Sequence, residues 1–401
     1  MTVFGIFWII YLFYCLSKKG MYHMFFALSL SMVLQCDNVF QFGSIGIGPQ
    51  IITSIFFIAY YLFKNQFKFP IQKENGLQLI GLLLLLLPIF ISLNDQNGIR
   101  ILMLLFYIIC SMVVVGVAKY LTYDELYEIL YKVSMIVLVI GFFQIPMTMG
   151  VIPKLWLFKN FIYNDVSSSQ FYIFNSFSYI RFFSTFQEPS YCAPFIIAMF
   201  FFFFESGRKT RENVRICIML FLAIILTFSS TAYGCFSILI IIWFLGSHNS
   251  ILKKYILPIF FVGVVFFLTI GHPIIENVLL SKMESGSGLV RAQWNNFARQ
   301  MFYNNIIFGA GYKTARASSL FYSLLGELGI SGVIGYFLFN IGLIFKSGQR
   351  LIRQESLMLL AGIVSMIIAC PDLDLCSYWL IVYIVKLLTQ MKYMLKKGSL
   401  S

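Results

Sequence analysis

Two stretches of this chain place arginine beside groups able to bind or work on an anion. In YIRFFSTFQEPSYCA, Arg181 stands seven residues before Glu188, and Pro189 opens the apolar run that follows. Proline at a first helical position marks a helix start, so Glu188 sits at a helix mouth whose free amides and dipole favour an anion. An arginine beside it makes a diphosphate cradle, with Glu188 as either helix cap or general base. In SGSGLVRAQWNNFARQMF, Val290, Trp294, Phe297 and Met301 recur at 4-3-4 spacing, the pattern of an amphipathic helix lying on a bilayer surface. That puts Arg291, Asn295 and Arg299 on its polar side, either facing headgroups or turned over a cavity. Further cations, Lys154, Lys159, Lys282, Lys313 and Arg316, lie nearby in sequence. A guanidinium is a permanently charged planar fork that matches phosphate oxygens; the alternative for each cation is snorkelling toward headgroups. Glu327 stands inside an apolar run, where an ionisable group is a functional candidate by default. Asp372 and Asp374 in PDLDLC read either as a divalent-metal pair or as a solvated turn.

These groups must be positioned by a membrane-embedded frame. Of 401 residues, 60% are hydrophobic and 11% charged, and the mean hydropathy is +0.85. A spanning helix needs about 20 apolar residues, so the chain suffices for about a dozen spans and little else. A cytoplasmic enzyme, a secreted disulfide scaffold and a nucleic-acid binder are excluded, and the eight cysteines, with no CxxC and no zinc spacing, read as apolar fillers. The fold class expected is all-α, a single integral-membrane domain over 1–401 with about 11–13 transmembrane helices.

The predicted spans lie near 2–16, 21–40, 50–63, 76–93, 99–118, 133–151, 189–204, 216–230, 232–246, 255–270, 319–345, 357–370 and 377–390. Alternating from Lys18-Lys19, every odd break is basic, including Lys64 and Lys68, Lys119 and Lys132, Arg208 to Arg215, Lys253 and Lys254, and Lys392. Basic loops mark the cytoplasmic side. The other face carries short breaks at 94–98, 229–233 and 371–376 and two large periplasmic loops, 152–188 and 271–318, read as ordered loops over the membrane core. His272 is the one histidine on that face by this topology. The run Phe200 to Phe204 reads as lipid-facing surface.

The stretch 181–194, RFFSTFQEPSYCAP, resembles the R-x-x-G-x-F-x-E-P-S-x-x-A motif of bacterial O-antigen and capsule polymerases, the Wzy family, with Ser184 where glycine is frequent. GAGYKTARASSLFYSLLGELGISGVIGYFLFNIGLIF, 309–345, is similar to the second signature, a GxG turn followed by a helix carrying E-x-G-x-x-G, here Glu327, Gly329 and Gly332. Arg291-Ala-Gln-Trp294 is similar to the R-x-x-x-W-like segment before that turn. LTFSSTAYG, 226–234, resembles a short outer turn reading T-x-S-R-t, with Ser230 where arginine is expected, so that a neighbour such as Arg316 or Arg299 substitutes. Ser318-Ser319 stand where the ligase branch carries His-Asn, which favours polymerase.

The resemblance covers mainly 181–345. It implies a GT-C-like membrane glycosyltransferase of the inner (cytoplasmic) membrane that joins undecaprenyl diphosphate-linked oligosaccharide repeats. The implied catalytic residues are Arg181 and Arg291 for the leaving diphosphate and Glu188 as base, with Glu327 and His272 behind it; Arg299, Lys313, Arg316 and His272 bind substrate. No cofactor, obligatory metal or nucleic acid is expected. Membrane lipids, a flippase and a polysaccharide chain-length regulator are the expected partners. The alternatives are an O-antigen ligase acting on lipid A core and, from another class, a lipid-linked oligosaccharide flippase or transporter, which would instead place charge along its spans.

Overall fold

Three helix starts in this chain are set by short polar caps at the ends of apolar runs. Thr2 accepts from the Gly5 amide and Thr210 from Asn213. At Thr122 a full capping box forms: the Glu125 amide donates to the Thr122 hydroxyl and the Thr122 amide to the Glu125 carboxylate. This cap starts its helix at Tyr123, ten residues before the apolar run expected from 133.

The computed structural model describes residues 2–18, 20–35, 38–42, 45–70, 76–92, 98–148, 181–246, 286–346 and 353–396. The elements are α1 (Val3–Ser17), α2 (Met21–Val33), β1 (Phe40–Phe42), β2 (Ile45–Ile47), α3 (Pro49–Lys64), α4 (Gly76–Ile91), α5 (Gly98–Val117) and α6 (Tyr123–Thr148). There follow α7 (Pro189–Phe204), α8 (Arg211–Leu226), α9 (Ser230–Gly246), α10 (Gly286–Asn304), α11 (Leu320–Lys346), α12 (Gln354–Ala369) and α13 (Cys376–Lys396). The strands form one antiparallel hairpin with Phe40 opposite Ile47. The expected span at 255–270, and the parts 152–180 and 271–285 of the expected large loops, lie outside the described residues.

Among the described residues the molecule is all-helical apart from that hairpin. Among the described residues three helices are long and apolar enough to cross a membrane: Gly98–Val117, Tyr123–Pro146 and Leu320–Ile344. Others, among them α1, α2, α4, α7, α9 and α12, are apolar but have 17 residues or fewer, below the roughly 20 a perpendicular crossing takes.

The described helices have two chemically different ends. At one end Lys64 lies over the Tyr120 ring, Arg208 pairs with Asp124, Gln354 reaches Phe202 and Tyr123, and Lys392 pairs with Glu355. At the other end the starts of α3, α5, α7 and α13 meet the close of α2 and the hairpin around a polar cavity.

α7 corrects the reading of its phenylalanines. Phe200 to Phe203 are buried and only Phe204 is partly open, because α7 is enclosed by α6, α8, α9, α12 and α13. An apolar run without polar residues cannot tell a lipid-facing helix from a central one.

α11 is broken within the E-L-G-I-S-G sequence. Gly329 has φ 65 and ψ −161, a conformation essentially confined to glycine. The break frees the Gly326 and Glu327 carbonyls and the Ile330 and Ser331 amides, which would otherwise pair in two α-helical bonds. Segment 306–311 takes up all four: Ala310 and Gly311 donate to Gly326 and Glu327 at 2.9 Å each, while Ile330 and Ser331 donate to Ile306 and Ile307 at 2.9 and 3.1 Å. Gly309 has φ 71, and a Cβ there would lie 2.3 Å from the Glu327 backbone. Beyond the break, α11 packs closely on α4, where a Cβ on Gly81 would come within 2.4 Å of the Phe339 amide and one on Gly335 within 2.6 Å of the Leu85 amide. Such small-residue contacts are the usual means of close helix approach in bilayers.

Gly329→Ala should therefore destabilise the protein by about 1–3 kcal/mol from backbone strain alone, with more from the contact at 2.5 Å to the Ile307 carbonyl. Thermal unfolding in detergent should show a clearly lowered midpoint, whereas Gly76→Ala, with nothing within 4 Å, should leave it unchanged or slightly raised.

Candidate functional site

The segment 181–188 is threaded among helices rather than laid over them. Phe182, Phe183 and Phe186 are fully buried. The Phe182 amide donates to Leu226, Ser184 Oγ to the Val137 carbonyl, Gln144 to the Ser184 carbonyl and Thr185 Oγ1 to the Val33 carbonyl. Ser184, where the motif usually has glycine, has φ 53, a left-handed conformation that glycine adopts without strain. The segment ends at Glu188, in the cap position of α7. Its carboxylate does not bond the helix amides and instead accepts from Ser190 Oγ at 3.3 Å.

One turn into α7, Tyr191 donates to Asp372 Oδ2. Asp372 and Asp374 belong to the tight link between α12 and α13. Lys313, two residues after the GxG turn, binds both, at 2.5 Å to Asp372 and 2.9 Å to Asp374. Asp374 also meets Arg100, at the start of α5, at 3.5 Å. Lys313 has φ 63, a conformation that costs a lysine roughly 1–3 kcal/mol and persists where surrounding structure fixes it. Glu327, 5% exposed in α11, is the third acid beside Lys313, whose ammonium and backbone amide, with the Ser323 hydroxyl, act on its carboxylate.

The charges set one another's protonation. Burial works against the Lys313 ammonium, but Asp374 and Asp372 outweigh it and hold its pKa above the ordinary lysine value. Burial likewise opposes the Asp372 carboxylate, and the Lys313 ammonium with the Tyr191 hydrogen bond outweighs that, holding it below the ordinary aspartate value. Next to this network a cavity of ≈ 230 Å³ opens between Gln35, Asn38, Gln50, Arg100, Gln187 and Asp374.

No family model and no curated protein matches this chain. The site is therefore read from its own geometry. The Cys370 thiol donates to the Ser190 carbonyl at 3.2 Å. Lys313 and Glu327 meet beside the α12–α13 link, and Glu188, bonded to Ser190, stands three residues before Tyr191, which reaches the same link; Arg291 is exposed on α10. Arg181 is engaged at the end of α8, donating from Nε to the Thr227 carbonyl at 3.2 Å and from its terminal nitrogen to Phe228 at 3.1 Å. It thus occupies the very turn where the sequence lacks its expected arginine. Arg316 and Arg299, expected to substitute there, are placed otherwise: Arg316 lies 4.1 Å over the Trp294 ring and Arg299 donates to Asn296 at 2.6 Å. His272 lies outside the described residues.

α10 also packs against neighbouring backbone along one side. Ala298 is fully buried, and a Cβ on Gly326 would come within 2.8 Å of its carbonyl. Asn295 turns inward to accept both the Ser318 amide and hydroxyl at 2.9 Å, while Val290 and Phe297 are exposed. Close backbone approach at Gly326 rotates the packed face by about one position from the one apolar spacing indicates.

The residues that sequence reasoning missed are Arg100, Tyr191 and the ion-paired state of Asp372 and Asp374. The solvated-turn reading of the two acids is corrected: Asp374 is 6% exposed. No group of three or more His, Cys, Asp or Glu side chains suited to a metal forms among the described residues. A usable signal was present, since Arg100, Lys313, Asp372 and Asp374 fall on one face in the charge-based topology as two cations and two anions.

Lys313→Met should cost up to about 3–5 kcal/mol, because it takes the shared cation from buried Asp374 and half-buried Asp372, leaving only the exposed Arg100 and the Tyr191 hydroxyl to answer them. Arg100→Met should cost under about 1 kcal/mol, since an exposed partner contributes little; its side chain is 58% exposed. Adding Asp372→Asn to Lys313→Met should recover part of the loss in thermal unfolding. A depressed aspartate stabilises above its unfolded pKa and loses that contribution as pH falls through the folded one. The wild-type midpoint should accordingly decline as pH drops below about 3.8, the ordinary aspartate value, and less steeply in Asp372→Asn.

Proposed function

We propose that this chain is a multi-pass glycosyltransferase of the cytoplasmic membrane, GT-C-like, that polymerises undecaprenyl diphosphate-linked repeat units into O-antigen or capsular polysaccharide at the outer face. The observation that carries this reading is the pairing of the two signature stretches. The GxG turn completes the broken E-x-G-x-x-G helix, delivering Lys313 to Glu327 and Asp372, while the E-P-S stretch brings Glu188 and Tyr191 to the same link. Left-handed Ser184 and the placement of Arg181 at the 227–228 turn support it further.

In this reaction a hydroxyl of one lipid-linked repeat attacks the anomeric carbon of the growing chain on its carrier. The bond from that carbon to the diphosphate oxygen breaks, and undecaprenyl diphosphate leaves with the electron pair. The hydroxyl proton passes to a carboxylate, with Glu188 first choice for its position at the start of α7, where it leaves the helix amides unbonded, and Glu327 second. Arg291 is exposed on α10 and Arg181 is held by two carbonyls; these are the two charges proposed to receive the leaving diphosphate. Each such contact contributes roughly 3–4 kcal/mol in a water-poor site. Arg299, Lys313, Arg316 and His272 complete the proposed substrate contacts.

Deleting the gene should leave lipopolysaccharide core carrying a single repeat unit and no ladder on electrophoresis. Bare core with long chains stranded on the carrier would identify a ligase instead, and repeat units trapped on the cytoplasmic face a flippase. Arg181→Ala and Arg291→Ala should each abolish the ladder at unchanged protein abundance, and normal chain length in both would refute these site residues. Chelator should leave polymerisation intact; a loss restored specifically by magnesium would overturn the metal-free reading.

A further inference from the structure

The ≈ 230 Å³ cavity beside the charge network contains none of the arginines expected to bind diphosphate. Its lining is rich in carboxamides: Gln35, Asn38, Gln50 and Gln187 come from four separate segments. Gln35 Nε2 is buried and has no hydrogen-bond partner among the described residues. A buried donor left unmade costs about 1–3 kcal/mol, so such a group beside a polar cavity points to a ligand that completes it. Gln50 is locked by its donation to the Leu34 carbonyl at 2.7 Å. Asn38 is held over the hairpin, where a Cβ on Gly46 would come within 2.5 Å of its amide oxygen. The amides are thus preorganised on rigid backbone.

Charge balance decides what they receive. Of the charged residues in the lining, Arg100 faces Asp372 and Asp374, and Lys313 behind them is taken up by those two acids, so the wall is polar and offers no surplus of positive charge. An anion gains little from such a wall. A ligand whose hydroxyls both donate and accept satisfies carboxamides, a half-free guanidinium and carboxylates together. The volume is below the roughly 300–1,000 Å³ of pockets for drug-sized ligands, which suits one sugar ring. Gln187 adjoins Glu188, so a ring held here lies next to the proposed base.

We infer that this cavity is the subsite for one neutral pyranose unit of the acceptor glycan, gripped by Gln35, Asn38, Gln50 and Gln187 with Arg100. The assignment to an acceptor rests on the polymerase reading; the preference for a neutral sugar ring does not. The test uses the full chain in nanodiscs and saturation-transfer NMR with the methyl pyranosides of glucose, galactose, mannose and N-acetylglucosamine. Methyl glucuronide and inorganic phosphate serve as anionic probes. At least one neutral glycoside should show transfer, Met103→Trp should abolish it by filling the cavity, and Gln35→Leu should weaken binding at least threefold. Transfer that persists unchanged in both variants, binding of the anionic probes alone, or no binding by any neutral glycoside would overturn the subsite. A neutral glycoside bound by a chain whose deletion leaves the polysaccharide ladder intact would end the polymerase reading and keep the sugar site. A lost ladder together with normal polymer from Gln35→Leu would do the reverse.

Discussion

The structure depends on one exchange of backbone hydrogen bonds. A helix broken in an apolar environment exposes amides and carbonyls whose desolvation costs several kcal/mol each unless they find partners. Gly329 breaks α11, and segment 306–311 supplies the missing partners on both sides of the break. Two helical bonds are replaced by four between segments, so the exchange is a net gain in pairing and fixes the loop to the helix. Everything placed near the break inherits that rigidity: Glu327 on one strand of the exchange and Lys313 just beyond the other.

From this point the charge network follows. Lys313 is committed to its position by the turn, and a buried ammonium must be matched. The α12–α13 link answers with two aspartates, and α7 and α5 reach the same acids through Tyr191 and Arg100. Four helices that meet through apolar packing are thereby also held in register by directed bonds at one end, which shape the adjacent cavity. At the opposite end Arg208 ties the segment after α7 to Asp124 of α6, and Lys392 of α13 pairs with Glu355 of α12.

Much of the helical frame was legible in the sequence, because span length and basic-loop alternation are one-dimensional properties. Twelve of the expected apolar runs correspond to α1 to α9 and α11 to α13. Less legible was what each helix faces: the Phe200 to Phe203 run and the rotated face of α10 depend on neighbours distant in sequence. The site divides in the same way. Glu188, Lys313 and Glu327 stand out by local context, a proline-marked helix start, a GxG turn and an acid in an apolar run. Asp372, Asp374 and Arg100 acquire meaning only when paired, and the Arg181 contact with the 227–228 carbonyls is a tertiary contact that spacing cannot encode.

The burial of α7 bears on how the chain is assembled during synthesis. Its phenylalanines end enclosed by α12 and α13, which emerge from the ribosome long after it. Until then those rings meet lipid acyl chains, in which they are as comfortable as in the finished interior, so early insertion carries no penalty. The late helices bring with them the aspartates that neutralise Lys313. Enclosure of α7 and neutralisation of Lys313 therefore both depend on α12, α13 and the link between them.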